Sequence, residues 1–139
     1  MYREEFKKLE GVWSGTERVE GATYTGRIVF QTVFDSRFLL CDHVQTAPDK
    51  PASVAHGVFR RDGRTQALTM TWFRDPVATG MQHTDAVAEG DKLVFVETID
   101  GRMTRTTYAV VMDKLSIHTE CSTRGDEWRR VFEGTYKRR

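Results

Sequence analysis

Gly11-Val12-Trp13-Ser14-Gly15-Thr16-Glu17-Arg18-Val19 is the stretch in which the chain changes its hydrophobic period. Before it, Tyr2, Phe6 and Leu9 fall at i, i+4 and i+7 with charged residues between them, which predicts a short amphipathic helix ending ahead of Gly11. From Val12 onward the period is two, and β-branched and aromatic residues come in runs broken by Gly, Asp and Pro, the pattern of an antiparallel sheet. Carried along the chain, the same reading places strands near 11–20, 23–35, 37–47, 53–61, 65–75, 79–88, 92–99, 103–112, 114–122 and 126–137. Asp62-Gly63, Glu89-Gly90-Asp91, Asp100-Gly101 and Gly125-Asp126 supply residues that tolerate the positive φ of tight hairpins. Pro48-Asp49-Lys50-Pro51 predicts a longer connection, a portal loop, because proline has no ladder donor.

Alternation then assigns faces. Ile28, Phe30, Thr32 and Phe34 share one side of their strand, as do Leu68, Met70 and Trp72, and Leu93, Phe95, Glu97 and Ile99, and these sides are expected inward. A sheet of about ten strands must close or pack on another layer, and the one helix is too short to cover it. The expected fold is therefore all-β, a single antiparallel up-and-down β-barrel with a short N-terminal helix, forming one domain over residues 1–139.

Charge and composition narrow the partners. With 21 Lys+Arg against 20 Asp+Glu and a net charge of +1, nothing advertises nucleic acid, and Tyr136-Lys137-Arg138-Arg139 reads as a solvated end. No run approaches the roughly 18 apolar residues of a membrane helix, and the opening residues lack a signal-peptide core, so no membrane partner is expected. Cys41 and Cys121 have no metal or redox spacing, which suits a reducing cytoplasm.

Gly11, Trp13 and Gly15, set after a short helix at the start of the first strand, resemble the Gly-x-Trp signature of the calycin superfamily, the lipocalin and fatty-acid-binding barrels. Together with Arg37-Phe38-Leu39, Trp128 and Tyr136, they resemble most a bacterial family of lipocalin-like domains of uncharacterised function. The resemblance implies that Trp13 sits at the closed end under the helix and that the first and last strands pair. It also implies an arginine on the last strand across from Trp13. Gly134 occupies the aligned position, leaving Arg130 or Arg138 as substitutes.

The four histidines, His43, His56, His83 and His118, lie on separate predicted strands without ligand spacing, so neither a metal nor a cofactor is expected. In a lesser reading, His118 resembles the haem ligand of the nitrobindins, although alternation with Leu115 and Ile117 turns it outward. Glu17, Glu97 and Arg130 are polar but in register with inward apolar residues, which a cavity wall accepts only when they are paired or hydrated. Arg130 suits a polar ligand head, or else pairs with Glu17 across the first and last strands. The face of Arg105 depends on whether the Asp100-Gly101 turn is bulged.

No G-x-S-x-G or phosphate-cradling motif is present. The leading expectation is a carrier or sensor that binds a small hydrophobic or amphipathic molecule through Phe30, Phe34, Met70, Trp72, Phe95, Trp128 and Arg130. The alternative is a cavity-templated acid–base enzyme, an isomerase or cyclase, with Glu17, Glu97 and His56 as candidate catalysts. A third expectation is a homodimer formed through the outer faces carrying Val29, Val33, Val94 and Val96.

Overall fold

A computed structural model of the chain describes residues 2–65, 67–75, 82–89, 92–99, 101–123 and 127–139. Helix α1 (Tyr2–Leu9) leads into β1 (Gly11–Val19), β2 (Ala22–Val33), β3 (Phe38–Ala47), β4 (Lys50–Arg61), β5 (Leu68–Asp75), β6 (Gln82–Glu89), β7 (Lys92–Ile99), β8 (Arg102–Val111), β9 (Lys114–Thr123) and β10 (Arg129–Arg138). Each strand pairs with its sequence neighbour, and β1 pairs antiparallel with β10 from Trp13↔Arg138 to Val19↔Phe132, closing an up-and-down barrel. The expected fold is the one observed. The predicted 48–51 loop is shorter: Pro51 lies within β4, where a register shift between Gln45 and Ala47 interrupts the ladder that a proline cannot complete. The turn residues Gly90, Asp91, Asp100, Gly125 and Asp126 lie outside the described residues.

The helix plugs one end. Phe6, Leu9 and Trp13 are fully buried there, and Trp13 Nε1 donates to the Leu9 carbonyl at 2.7 Å. Arg138 plays the part for which Arg130 was the other candidate: its guanidinium stacks 4.2 Å from the Trp13 ring centroid. Arg138 also donates to the carbonyls of Lys8, at 2.9 Å, and Glu10, capping the negative end of α1. Gly15 lets β1 and β10 close up here, since a Cβ at that position would collide with the Thr135 carbonyl.

Above the plug, the core centres on Phe59, which makes edge-on contacts with Phe30, Trp72, Phe95 and Tyr108 at centroid distances of 6.0, 6.1, 5.4 and 5.5 Å. The inward sets Ile28/Phe30, Leu68/Met70/Trp72 and Leu93/Phe95 are all buried. Phe34 departs from its set and is 75% exposed. The strand ends at Val33, and Phe34, Asp35 and Ser36 all take positive φ, of 52°, 56° and 62°, so alternation stops before Phe34 and its ring rests edge-on against Phe38. Of the outer valines, Val29 and Val33 are half-buried, Val94 is buried and Val96 is exposed. Among the described residues no helix is long and apolar enough to cross a membrane.

Candidate ligand cavity

The barrel is not filled at its other end. A cavity of about 440 Å³ opens between a floor of Phe30, Met70, Trp72, Phe95 and Tyr108 and a mouth formed by Glu20, Ser53, Glu97, Arg102 and Thr104. Trp72 lies flat over Gly57, where a Cβ would sit only 3.0 Å from its ring, so the glycine makes room for the tryptophan. Tyr108 directs its hydroxyl to Met70 Sδ at 3.7 Å. Cys41 also lines the cavity, but burial first, then the neighbouring Asp42, push its thiol far up, so it stays protonated and unreactive.

The wall between floor and mouth is built around Glu17. This carboxylate is fully buried and accepts hydrogen bonds from His43 Nε2 at 2.5 Å, Tyr136 Oη at 2.5 Å and Gln45 Nε2 at 2.8 Å. Its donors come from two directions. Glu17 on β1 reaches across β2 at Gly26, where a Cβ would overlap the carboxylate, to His43 and Gln45 on β3. On the other side its β10 partner is Gly134, where a Cβ would overlap the Tyr136 hydroxyl. Burial alone pushes the Glu17 carboxyl up, but the hydrogen bonds from His43, then Tyr136 and Gln45, hold the group below its usual range. Burial, and after it the Glu17 charge, push the Tyr136 phenol far up, which keeps it a donor.

Among the sequence candidates, Phe30, Met70, Trp72, Phe95 and Glu97 line the cavity. Glu17 lies behind the wall, facing its three donors. His56 is on the outer surface, 60% exposed and paired with Asp42 at 2.5 Å, because Ser53, Ala55, Gly57 and Phe59 take the inward row of β4. Arg130 is also outside, 3.8 Å from Glu133, and makes no pair with Glu17. The reason is a register shift between Arg130 and Phe132, which breaks the Trp128-Arg130-Phe132 alternation.

Trp128 accordingly packs outside, with the Arg105 guanidinium 4.0 Å from its ring centroid. Arg105 faces outward because Ile99 pairs with Arg102 and Glu97 with Thr104, and it bonds Glu120 at 3.1 Å. His118 lies beside Glu120 at 3.9 Å, while its neighbours Ile117 and Thr119 line the cavity, so it offers no ligand to a group held inside. Burial, then the Arg130 charge, lower its pKa. The His83 side chain lies outside the described residues.

Sequence reasoning missed His43, Gln45 and Tyr136 as members of one site. The signal present was the inward alternation Leu39, Cys41, His43, Gln45, together with strand glycines at 26 and 134 that vacate space beside Glu17.

No protein-family model matches the chain, and no curated protein sequence matches it. Solved structures do. Rv2717c from M. tuberculosis is similar with a TM-score of 0.67 at 16% identity, over 98% of this chain and 96% of that one. EF1p2_mFAP2b, solved bound to DFHBI, is similar at 0.58 and 12% identity, over 100% of both chains. A de novo designed fluorescence-activating β-barrel is similar at 0.52 and 13% identity, over 96% of this chain and 95% of that one. At such identities the likeness is one of fold.

Proposed function

We propose that this barrel binds a small hydrophobic or amphipathic molecule in its interior, as a carrier or sensor. The observation that carries the reading is the 440 Å³ cavity itself, with an aromatic floor and a polar mouth. That volume falls in the range of small-molecule sites, about 300–1,000 Å³, and the division into apolar depth and a few polar groups is what such sites use for affinity and orientation. EF1p2_mFAP2b, a barrel of the same fold, was solved with the small molecule DFHBI bound. The mouth, with Glu20, Glu97 and Arg102, suits a ligand whose polar end stays near water while its body rests on Phe95 and Trp72.

The test is a titration with anilinonaphthalene sulfonate and a panel of uncharged polycyclic dyes, read by dye emission and by quenching of the tryptophan in the floor. The expected result is binding with Kd below about 100 μM. Thr104→Trp, which fills the mouth, abolishes it without moving the urea midpoint by more than about 1 kcal/mol equivalent. Failure of every dye to bind, together with native mass spectra showing no co-purifying small molecule, would remove the reading.

A further inference from the structure

His43 lines the cavity with one ring nitrogen already committed. Glu17, an acceptor-only carboxylate, takes a hydrogen bond from Nε2, so Nε2 carries the proton. In the neutral imidazole the lone pair then belongs to Nδ1, and Nδ1 bonds no described residue. The tautomer is held from behind. Tyr136 and Gln45 pin the carboxylate, Gly26 and Gly134 provide the niche in which it fits, and Phe132 meets the imidazole edge-on at a centroid distance of 6.3 Å. Tyr136 and Gln45 already give this carboxylate two donors. Committing an imidazole to it leaves a fixed acceptor in the wall of a largely aromatic cavity.

We propose that the ligand of this cavity carries a weakly acidic hydroxyl, a phenol or an enol on a flat unsaturated skeleton, which donates its proton to His43 Nδ1. This rests on the cavity-binding reading above and adds to it the chemical class of the ligand. The hydroxyl bonds to Nδ1 while the ring system lies against Phe95, Tyr108 and Trp72. If the proton passes fully to Nδ1, the Glu17 carboxylate offsets the positive charge formed on the imidazole, and no other bond forms or breaks. Glu17 is a positioning residue here: it fixes which nitrogen is offered.

The experiment compares hydroxynitrobiphenyl with its methyl ether, two molecules that differ by one methyl group on the oxygen and of which only the first has the proton. The nitrophenol chromophore also reports, by its visible band, whether the proton has moved. The wild-type protein is expected to prefer the phenol by about tenfold to a hundredfold, the worth of one hydrogen bond to a group that can become charged. In His43→Phe the preference falls to about one. In Glu17→Gln the ring no longer has a fixed tautomer, so most of the preference and the visible band shift are lost. The ratio of the two affinities is the readout, so a general change of cavity shape cancels. Should His43→Phe not fold, His43→Leu, which also lacks an acceptor, carries the same comparison.

Equal affinities in the wild-type protein, or a preference that survives both His43 variants, would overturn the proposal while leaving cavity binding intact. Binding of neither compound, with the dye panel also silent, would overturn the cavity reading and this one with it.

Discussion

Tyr136→Phe removes one hydroxyl from the centre of the wall and nothing else. Phe keeps the ring, so no packing volume is lost, and Glu17 is left with two donors instead of three in a site where it is fully buried. A hydrogen bond to a charged group is worth about 1.5–3 kcal/mol, so a cost of about 2 kcal/mol is expected. With a urea dependence of about 1–3 kcal/mol per molar for a domain of this size, the unfolding midpoint drops by about 1 M. The sign with pH follows from Glu17, whose folded pKa lies below its ordinary value of 4.5. The unfolded chain takes up a proton first as pH falls, so the stabilisation is fully present above 4.5 and is lost as pH drops through the folded value. Tyr136→Phe removes one cause of the depression, so its acid unfolding begins at higher pH than that of the wild-type protein. In a Glu17→Gln background the same substitution breaks only a neutral hydrogen bond and costs about 1 kcal/mol less. A midpoint shift under about 0.3 M, or an equal cost in both backgrounds, would refute the view that the hydroxyl serves the buried charge.

Other variants test the plug, the niche and the rejected candidates. Trp13→Ala, at a fully buried position, is expected to cost about 3–5 kcal/mol by urea unfolding. Arg138→Ala removes a stacked guanidinium and two caps of helix carbonyls, so about 1–2 kcal/mol is lost and the amides of Phe6 and Leu9 exchange faster with deuterium. Gly26→Ala drives a methyl group into the Glu17 carboxylate and costs about 1–3 kcal/mol, whereas Gly63→Ala, which meets open space, stays within about 0.5 kcal/mol. His56→Ala, breaking an exposed pair outside the barrel, leaves dye affinity unchanged and stability within about 1 kcal/mol.

What was legible in the sequence was whatever depends on local period. The two-residue alternation from Val12 onward, the Asp-Gly turns and the change from a helical stripe led to the barrel, its strand count and the buried Trp13. What was not legible depends on single-residue departures from that period. Three left-handed residues in the turn after Val33 put Phe34 outside, and one register shift after Arg130 put Arg130 and Trp128 on the outer face. The site suffered a different loss, because two of the three donors to Glu17 lie beyond β2, its neighbour on one side. Glu17 reaches over a glycine to the next strand but one, and that reach is set by an absent side chain at Gly26. Inward alternation of Leu39 and Cys41 would have pointed to His43, but Leu40 and Val44 on the opposite face of the same strand obscured it.

The placement of Glu17 has a further physical consequence. The two strands that close the barrel, β1 and β10, contribute Glu17 and Tyr136, and the cavity wall contributes His43 and Gln45, so one carboxylate joins the seam to the wall. Loosening the seam at Tyr136 is therefore expected to free Glu17 and, through it, the His43 ring, and so to lower the affinity for a hydroxyl-bearing ligand without touching that ligand. Arg138 holds the same two strands at the helix end but bonds α1 and Trp13 rather than Glu17. Arg138→Ala and Tyr136→Phe are expected to cost comparable stability, about 1–2 and about 2 kcal/mol, yet only Tyr136→Phe reduces the preference for phenol over methyl ether. If both reduce it alike, the cavity responds to the stability of the barrel as a whole, and the Glu17 network has no separate part in orienting His43.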